Sequence, residues 1–408
     1  MKKHFSSLLL LVFAAFAFNS CDLLFGSKKD KETSQIFTQG HIDPHLYPTS
    51  VGYVPIQPYF TGFSNPVDVY VGFDQMVYVI DDNGVEILDL TGTFHRNIPI
   101  YGATDIIQDR RQHTYVCGRI KKDVNNDGIL EDLAAVYHFY NASSAGGPIF
   151  VDTLIHPFCD ASRNTSGYRG ASDEQVFFTG LACLADNRIY VSRKGPNNSL
   201  TTVALPDNSV LIFDKNGNNL GYCNGLNPIN SSLKSELSVS AIATAQVPPQ
   251  QYVDAKDNFY ITQTDVAAEY KVLSIIESND PVAGITFGEN TALLNFDYTK
   301  AYRFLYQSYR LKNPSDVFIS PDSKGYIFVV DATLDSLFQF TPTGFEGVNP
   351  PANSGITKQI LASFGGAGNG AFQFNQPSGV CYFNKVVYVA DKGNNRICRF
   401  KLSTDLEQ

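Results

Sequence analysis

The stretch that decides the fold is residues 364–400, FGGAGNGAFQFNQPSGVCYFNKVVYVADKGNNRICRF. A glycine-rich loop leads to a proline, and three short strands are predicted after it, at 379–383, 386–390 and 396–400. The middle run, VVYVA, does not alternate polar with apolar residues, which is typical of a strand that is buried on both faces. The stretch therefore predicts one antiparallel unit packed between two neighbouring sheets.

The same unit recurs upstream, with the proline, the apolar strand and a closing aspartate at matching offsets. Clear copies lie at 65–89 and 313–340, and weaker copies surround 114–117, 188–191 and 258–261, with first strands predicted at 104–108, 180–184 and 251–254. The equivalent aromatic residues are Tyr78, Tyr115, Tyr190, Tyr260, Phe328 and Tyr388. Repeats of this size indicate a propeller or a solenoid. A seventh copy around 291–306 is the rival count.

Three motifs of the last copy resemble the NHL repeat, a β-propeller family. They are N-x-P-S-G-V at 375–380, V-Y-V-A-D at 387–391 and G-N-N-R-I at 393–397. The resemblance implies an all-β fold over residues 51–408, a six-bladed β-propeller of four-stranded antiparallel blades.

The last copy lacks a fourth strand, because only the short polar segment 403–408 follows its third strand. The segment 53–60 precedes the first full blade and contains Pro55 and Pro58. Proline cannot donate a hydrogen bond to a strand ladder, so it suits an outermost strand. We therefore expect this segment to pair with residues 396–402 and to close the ring.

The first twenty residues have the pattern of a secretory signal: lysines near the start, an apolar run at 8–18 and then Cys21. The sequence before Cys21 resembles a bacterial lipobox, which implies lipidation of Cys21 and a membrane-anchored lipoprotein of the cell envelope, periplasmic or surface-exposed. The alternative is cleavage nearby that leaves Cys21 as a free thiol. Residues 21–50 are predicted to be a flexible tether.

Composition excludes one class of partner. The chain has 40 acidic and 31 basic residues, a formal charge of −9, and no basic stripe, which argues against nucleic-acid binding.

Six cysteines follow Cys21 without a C-x-x-C motif. We expect most of them to be buried thiols, and a Cys159–Cys223 disulfide stays open.

A possible calcium loop, DVNNDGILED, lies at 123–132. Oxygen ligands at alternate positions and a glycine at the turn are what calcium requires. The expected ligands are Asp123, Asn125, Asp127, the Ile129 carbonyl and Glu131, with Asp132 as a substitute for Glu131. The alternative is a turn without metal.

No catalytic residues are identified from the sequence. Asp81, Asp331 and Asp391 could surround one mouth of the propeller, but such residues usually cap turns, and Arg396 is expected to pair with a neighbouring blade. We expect a binding or scaffold protein that recognises a protein, peptide or glycan through the loops of one face.

The alternative function is a metal-dependent lyase or lactonase at the central channel, which the resemblance leaves open. Such an enzyme requires His, Asp, Glu or Asn side chains from at least three blades on the channel axis. No such set is apparent from the sequence.

Overall fold

Short strands rich in Val, Ile, Tyr and Phe form six antiparallel sheets in the computed structural model. The model describes residues 40–124, 126, 128–155, 173–195, 209–224, 235, 237–251, 258–280, 284–294, 302–352 and 354–406. The sheets all belong to one unit, residues 42–408. The predicted signal peptide, Cys21 and most of the tether lie outside the described residues.

The strands follow one another blade by blade. β1 (Tyr53–Pro55) and β2 (Phe60–Thr61) precede blade 1, which contains β3 (Asp68–Val71), β4 (Val77–Asp81), β5 (Gly84–Leu88) and β6 (Phe94–Ile98). Blade 2 contains β7 (Asp105–Gln108), β8 (His113–Lys122), β9 (Glu131–Tyr140) and β10 (Ile149–Ile155). Blade 3 contains β11 (Phe177–Cys183), β12 (Ile189–Lys194), β13 (Ser209–Phe213) and β14 (Asn219–Asn224).

The second half of the ring repeats this order. Blade 4 contains β15 (Val239–Thr244), β16 (Phe259–Gln263), β17 (Val272–Asp280) and β18 (Gly284–Glu289). Blade 5 contains β19 (Pro314–Ile319), β20 (Ile327–Asp331), β21 (Ser336–Phe340) and β22 (Phe364–Gly365). Blade 6 contains β23 (Pro377–Phe383), β24 (Val386–Asp391) and β25 (Arg396–Leu402), and β1 and β2 complete it. Among the described residues, short 3-10 turns occupy Pro44–Leu46, Asp173–Gln175, Thr291–Leu293, Lys392–Asn394 and Ser403–Asp405.

The prediction of six blades is confirmed. The rival seventh blade is absent from the described residues, where Thr291–Leu293 is a 3-10 turn and 302–306 contributes only an isolated bridge from Phe304 to Phe345. All six aromatic residues of the repeats lie on the second strands of their blades. Five of them are buried, and Tyr260 is half-buried. They anchor the apolar layers between blades.

Two predicted strands were misplaced. The first strand of blade 4 was expected at 251–254, but the structure places it at Val239–Thr244. That strand contains two alanines, a serine and a threonine, so it lacks the dense apolar run of the other copies. The fourth strand of blade 5 was expected at 358–364, and the observed strand is only Phe364–Gly365.

The ring closes as predicted, with β1 paired antiparallel to β25. Tyr53 lies opposite Leu402 and Pro55 opposite Phe400, and the Ile56 amide donates to the Arg399 carbonyl at 2.8 Å. The Arg399 guanidinium donates to the Pro58 carbonyl at 2.8 Å and lies 4.1 Å over the Phe60 ring. β1 is the outermost strand of its sheet, so the missing N–H of Pro55 costs no ladder hydrogen bond.

Cysteines inside the blades are buried thiols. Cys117, Cys183, Cys381 and Cys398 form no disulfide, and burial raises the pKa of each thiol. Cys159 lies outside the described residues, so the Cys159–Cys223 disulfide that the sequence left open stays a prediction.

In the described part of the chain, no helix is both long enough and apolar enough to span a bilayer.

Candidate functional site

The inner strands of the six blades place equivalent residues around a central channel. Their registers align one row that consists of Val67, Thr104, Thr179, Ser240, Ser315 and Ser378. The next row consists of Asp68, Asp105, Gly180, Ala241, Asp316 and Gly379. The first row is therefore mostly hydroxyls, and the second contains an aspartate in blades 1, 2 and 5.

The hydroxyl row connects neighbouring blades. The bonds run from Thr104 to the Phe178 carbonyl (3.0 Å), from Ser240 to Pro314 (2.6 Å), from Ser315 to Pro377 (2.7 Å) and from Ser378 to Pro66 (2.8 Å). These four hydroxyls donate to the next blade around the ring, whereas the Thr179 hydroxyl bonds Ser192 of its own blade. The Ser378 bond spans the junction between the last blade and the first. These hydroxyls hold the inner strands together.

The aspartate row also reaches from blade to blade. The Asp68 carboxyl accepts the Ile106 amide at 3.2 Å, Asp105 accepts the Leu181 amide at 2.9 Å, and Asp316 accepts the Val380 amide at 2.7 Å. Each bond joins one inner strand to the inner strand of the next blade.

Burial and crowding favour the protonated form of these carboxyls. Burial raises the pKa of Asp68 to about 6. The pKa of Asp105 is raised well above its ordinary value by burial and then by the negative charges of Asp68 and Asp316. The pKa of Asp316 is raised by burial and then by Asp68. A positive charge placed beside them would relieve this repulsion.

The three aspartates form the floor of a cavity of about 500 Å³, which we call the channel mouth. Residues from all six blades line it: Val67, Asp68, Thr104, Asp105, Phe177, Phe178, Thr179, Lys194, Ser240, Ala241, Thr264, Asn313, Ser315, Asp316 and Ser378. The same aspartates also line a narrow cavity of about 30 Å³ deeper in the channel. Small-molecule sites commonly have volumes of roughly 300–1,000 Å³.

The rim of the channel mouth is more open than its floor. The side chains of Lys194 and Asn313 are exposed, and Phe177 is 42% exposed. The Arg119 guanidinium lies 4.7 Å from the Phe177 ring centroid, which fixes this aromatic wall. The channel mouth thus combines an acidic floor, a hydroxyl layer and an aromatic wall on one side.

The residues of the channel mouth do not fit a catalytic metal. Each of the three carboxyls already accepts a backbone amide from the next blade. Within the described residues, no group of three His, Cys, Asp or Glu side chains is arranged to hold a metal ion.

The three inner-strand aspartates were not identified as channel residues from the sequence. Asp68 and Asp316 follow a proline by two residues in the motif N-P-x-D, which was a usable signal. Asp105 has no such proline. Their position on the axis depends on the register of the inner strands, which the repeat pattern does not specify.

The aspartates that close the second strands cap turns, as expected. The Asp81 carboxyl accepts the Asn83 and Ser64 amides, at 2.8 and 2.9 Å. Asp331 accepts the Lys312, Asn313, Thr333 and Leu334 amides, and Asp391 accepts the Asn375 amide. None of the three lines either channel cavity.

Arg396 serves the structure of its own blade. Its Nε donates to Asp391 at 2.7 Å, and its other nitrogens donate to the carbonyls of Asn369, Gly370 and Gln373 in the loop before blade 6. The expected partner in a neighbouring blade is thus replaced by an aspartate of the same blade and by the preceding loop.

The predicted calcium loop joins β8 to β9. Asp123 accepts the Gly128 amide at 2.8 Å, Glu131 accepts the Val124 amide at 3.1 Å, and Ile129 is exposed. Asp132, the substitute ligand, instead accepts the Arg119 guanidinium at 2.9 Å. Asn125 and Asp127 lie outside the described residues, so the calcium site stays a prediction.

The match of one family model agrees with this architecture. Residues 374–400 match the family model described as NHL repeat, and a search of curated proteins found no match. An auxiliary nutrient binding protein from Bacteroides thetaiotaomicron has a TM-score of 0.48 and 13% identity, covering 84% of this chain and 70% of that one. A gluconolactonase from Xanthomonas campestris has a TM-score of 0.48 and 10% identity, covering 89% of this chain and 94% of that one.

A third similar structure is virginiamycin B lyase from Staphylococcus aureus, with a TM-score of 0.42, 10% identity, and coverage of 86% of this chain and 99% of that one. The order of the strands in the six sheets identifies the fold directly. With six antiparallel blades, a closing N-terminal strand and a family match in the last blade, this chain is a six-bladed β-propeller that carries an NHL repeat at residues 374–400.

Proposed function

We propose that this chain is a binding protein that takes a positively charged group of its ligand into the channel mouth. The observation that carries the proposal is a cavity of about 500 Å³. Residues of all six blades line it, and three aspartates form its floor. A rigid ring with a concave centre is a frequent place for ligand binding. The ligand can be a small molecule or an ammonium group that projects from a peptide or glycan partner.

Charge decides the class of ligand. The lining contains three carboxyls and one lysine, and the lysine lies at the exposed rim. Burial, and then repulsion from neighbouring carboxyls, raises the pKa of Asp105 and Asp316, so a cation on the floor would be attracted directly and would also relieve that repulsion. An anion would meet only Lys194 and would be repelled by the floor.

The alternative of a propeller lyase or lactonase has one feature in its favour, the carboxyls from three blades around the axis. Their hydrogen bonds, however, are those of inter-blade connections. The donor set also does not fit a metal. A binding function therefore accounts for the three aspartates without a metal or further catalytic residues, which an enzyme would require.

Anchoring at Cys21 and calcium binding at residues 123–131 are further parts of the proposal. Cys21→Ser should release the protein from membranes, and unchanged membrane partition would contradict the anchor.

A chelator should lower the melting temperature of the wild type, because a ligand of the native state stabilises it. An unchanged melting temperature would mean that the loop at residues 123–131 is a turn without metal.

Three probes of nearly equal size test the proposed ligand class: benzylamine, benzyl alcohol and benzoate. Calorimetry at neutral pH should give the tightest binding for benzylamine, weaker binding for the alcohol and the weakest for benzoate. Asn313→Trp should abolish benzylamine binding, because this exposed side chain lies on the rim and the indole would fill the cavity.

The matched control is Ser354→Trp, at an exposed position of the same blade that does not line the channel mouth. It should bind benzylamine as the wild type does. Tightest binding of benzoate would overturn the cationic class, and absence of binding by all three probes would remove the channel mouth as a small-ligand site.

A further inference from the structure

A second group of ionisable side chains lies in blade 2, outside both channel cavities. The His113 Nδ1 and His138 Nε2 atoms are 2.7 Å apart, and the His138 Nδ1 atom is 2.8 Å from an Asp152 oxygen. These three side chains come from β8, β9 and β10 and form one hydrogen-bonded row. The proposed function does not use any of them.

A β-bulge builds this row. The pairing of β10 with β9 shifts between Phe150 and Asp152, so that Asp152 rather than Val151 lies opposite His138. A bulge of this kind redirects a side chain. On the other side, Tyr115 lies opposite His138 and stacks on its ring at 4.3 Å, with an interplanar angle of 11°.

Burial differs along the row. The His138 side chain is 3% exposed and Asp152 is 35% exposed, while His113 is half-buried and stacks on Tyr140 at 5.3 Å. The central imidazole is therefore shielded, and both ends of the row reach solvent.

The contacts define the tautomers of the neutral pair. Asp152 can only accept when ionised, so His138 carries its proton on Nδ1. His138 Nε2 is then an acceptor, and His113 must carry its proton on Nδ1. The free lone pair of the row is thus on His113 Nε2.

Two other charged groups, Asp109 and Arg111, act on the row, and a turn of blade 3 packs against it. Asp109 and Arg111, in the turn before β8, form an ion pair at 2.6 Å, and Arg111 also donates to the Lys215 carbonyl of blade 3 at 3.0 Å. Asp109 favours charging of both imidazoles, while Arg111 opposes it. The turn at Gly217 of blade 3 packs against Asp152, since a Cβ there would lie 2.8 Å from an Asp152 oxygen.

We propose that His113, His138 and Asp152 form a relay that takes up a single proton and makes the junction between blades 2 and 3 sensitive to acid. A solvent proton binds His113 Nε2, the Nδ1 proton of His113 passes to His138 Nε2, and His138 becomes an imidazolium paired with Asp152. Every hydrogen bond of the row survives this step. A second proton makes both facing nitrogens donors and breaks the His113–His138 bond.

The direction of the stability change follows from the histidines. Burial lowers the pKa of both His113 and His138 below the ordinary value. The unfolded chain therefore binds protons first, and stability present above the ordinary histidine pKa of about 6.5 is lost as the pH falls below it.

Nitrogen-15 NMR of the imidazoles of the full chain tests the relay. At about pH 8 both His113 and His138 should carry the proton on Nδ1, and below the ordinary histidine pKa of about 6.5 the first proton taken up should appear as charge on His138. Asp152→Asn keeps an acceptor but removes the charge, so charging of His138 should move to lower pH by about one unit. An Nε2–H tautomer at His138, or an unchanged titration in Asp152→Asn, would overturn the relay.

Thermal unfolding gives a second test that tolerates loss of stability in a variant. His113→Phe keeps an aromatic ring beside Tyr140 but cannot titrate, so the drop in melting temperature from about pH 7.5 to about pH 5.5 should shrink by roughly half. The control is His95→Asn, which removes an exposed histidine that lies 3.8 Å from Asp89. Its acid-induced drop should match the wild type, and an equal drop in His113→Phe would contradict the proposal.

Discussion

Two sets of aspartates in the same repeats have opposite environments. Asp81, Asp331 and Asp391 close the second strands and are buried among backbone amides, and Asp391 also pairs with Arg396. Asp68, Asp105 and Asp316 lie on the inner strands, each with an amide from the next blade but with other carboxyls nearby. The two sets differ in the neighbouring charges: Asp391 pairs with Arg396, whereas Asp105 is repelled by Asp68 and Asp316.

This difference separates a structural carboxyl from one that is available to a ligand. Asp331 accepts four backbone amides and Asp391 pairs with Arg396, so these carboxylates gain little from a further partner. Three crowded carboxyls with raised pKa values gain from any cation that approaches. The same residue type therefore holds turns at one place and, in the function proposed for this chain, contacts the ligand at the other.

The largest effect should come from opening the ring, on which both sets depend. Deleting residues 51–61 removes five buried residues. Besides Pro55, they are Tyr53, Val54, Ile56 and Phe60, and each of these four side chains is worth roughly 1.5–3 kcal/mol. The sum, on the order of 6–12 kcal/mol, matches the whole stability of a typical domain. Circular dichroism should show unfolding of the entire propeller, and intact blades with one frayed end would contradict the closure.

Breaking a structural aspartate should be the next largest effect. Asp391→Ala leaves the largely buried Arg396 without its carboxylate, and the expected loss is about 3–5 kcal/mol in denaturant unfolding. Asp186→Ala is the control, because its pair with Arg188 is more exposed, and it should cost at most about 1 kcal/mol. Equal losses in the two variants would erase the distinction between the two environments.

A channel aspartate should behave in the opposite way. Its folded pKa is raised, so its contribution to stability is present below the ordinary carboxyl pKa and is lost as pH rises through the folded pKa. Asp105→Asn should therefore keep or gain stability at neutral pH and flatten the loss of stability that the wild type shows as the pH rises above the ordinary carboxyl pKa of about 3.9. A loss at neutral pH comparable to that of Asp391→Ala would contradict this account.

The smallest effect should come from one hydroxyl of the first row. Ser378→Ala removes the bond to the Pro66 carbonyl across the closing junction and should cost about 1 kcal/mol at any pH. Ser315→Ala removes the matching bond between blades 5 and 6 and serves as the control. A much larger loss at Ser378 would mean that the closing junction carries more strain than the other junctions.

The sequence predicted those features that depend on local pattern. Apolar second strands marked the blades, and two prolines marked the closing edge strand that pairs with residues 396–402. The first strand of blade 4 was misplaced because its serine, threonine and alanines resemble a loop.

The candidate sites were harder to predict because they depend on register. Asp68, Asp105 and Asp316 meet only when three inner strands are aligned, and the contact of His138 with Asp152 requires a bulge. The N-P-x-D motif marks Asp68 and Asp316, but the repeat pattern specifies neither the strand alignment nor the bulge.

The most direct measurement of the central claim is the affinity for benzylamine as a function of pH. Benzylamine stays protonated throughout, whereas Asp68, with a pKa of about 6, is mostly protonated one unit lower. Calorimetry should show affinity rising about tenfold from about pH 5 to about pH 7.5, with protons released on binding. Affinity that is independent of pH, or proton uptake on binding, would contradict a channel mouth that binds cations through these carboxyls.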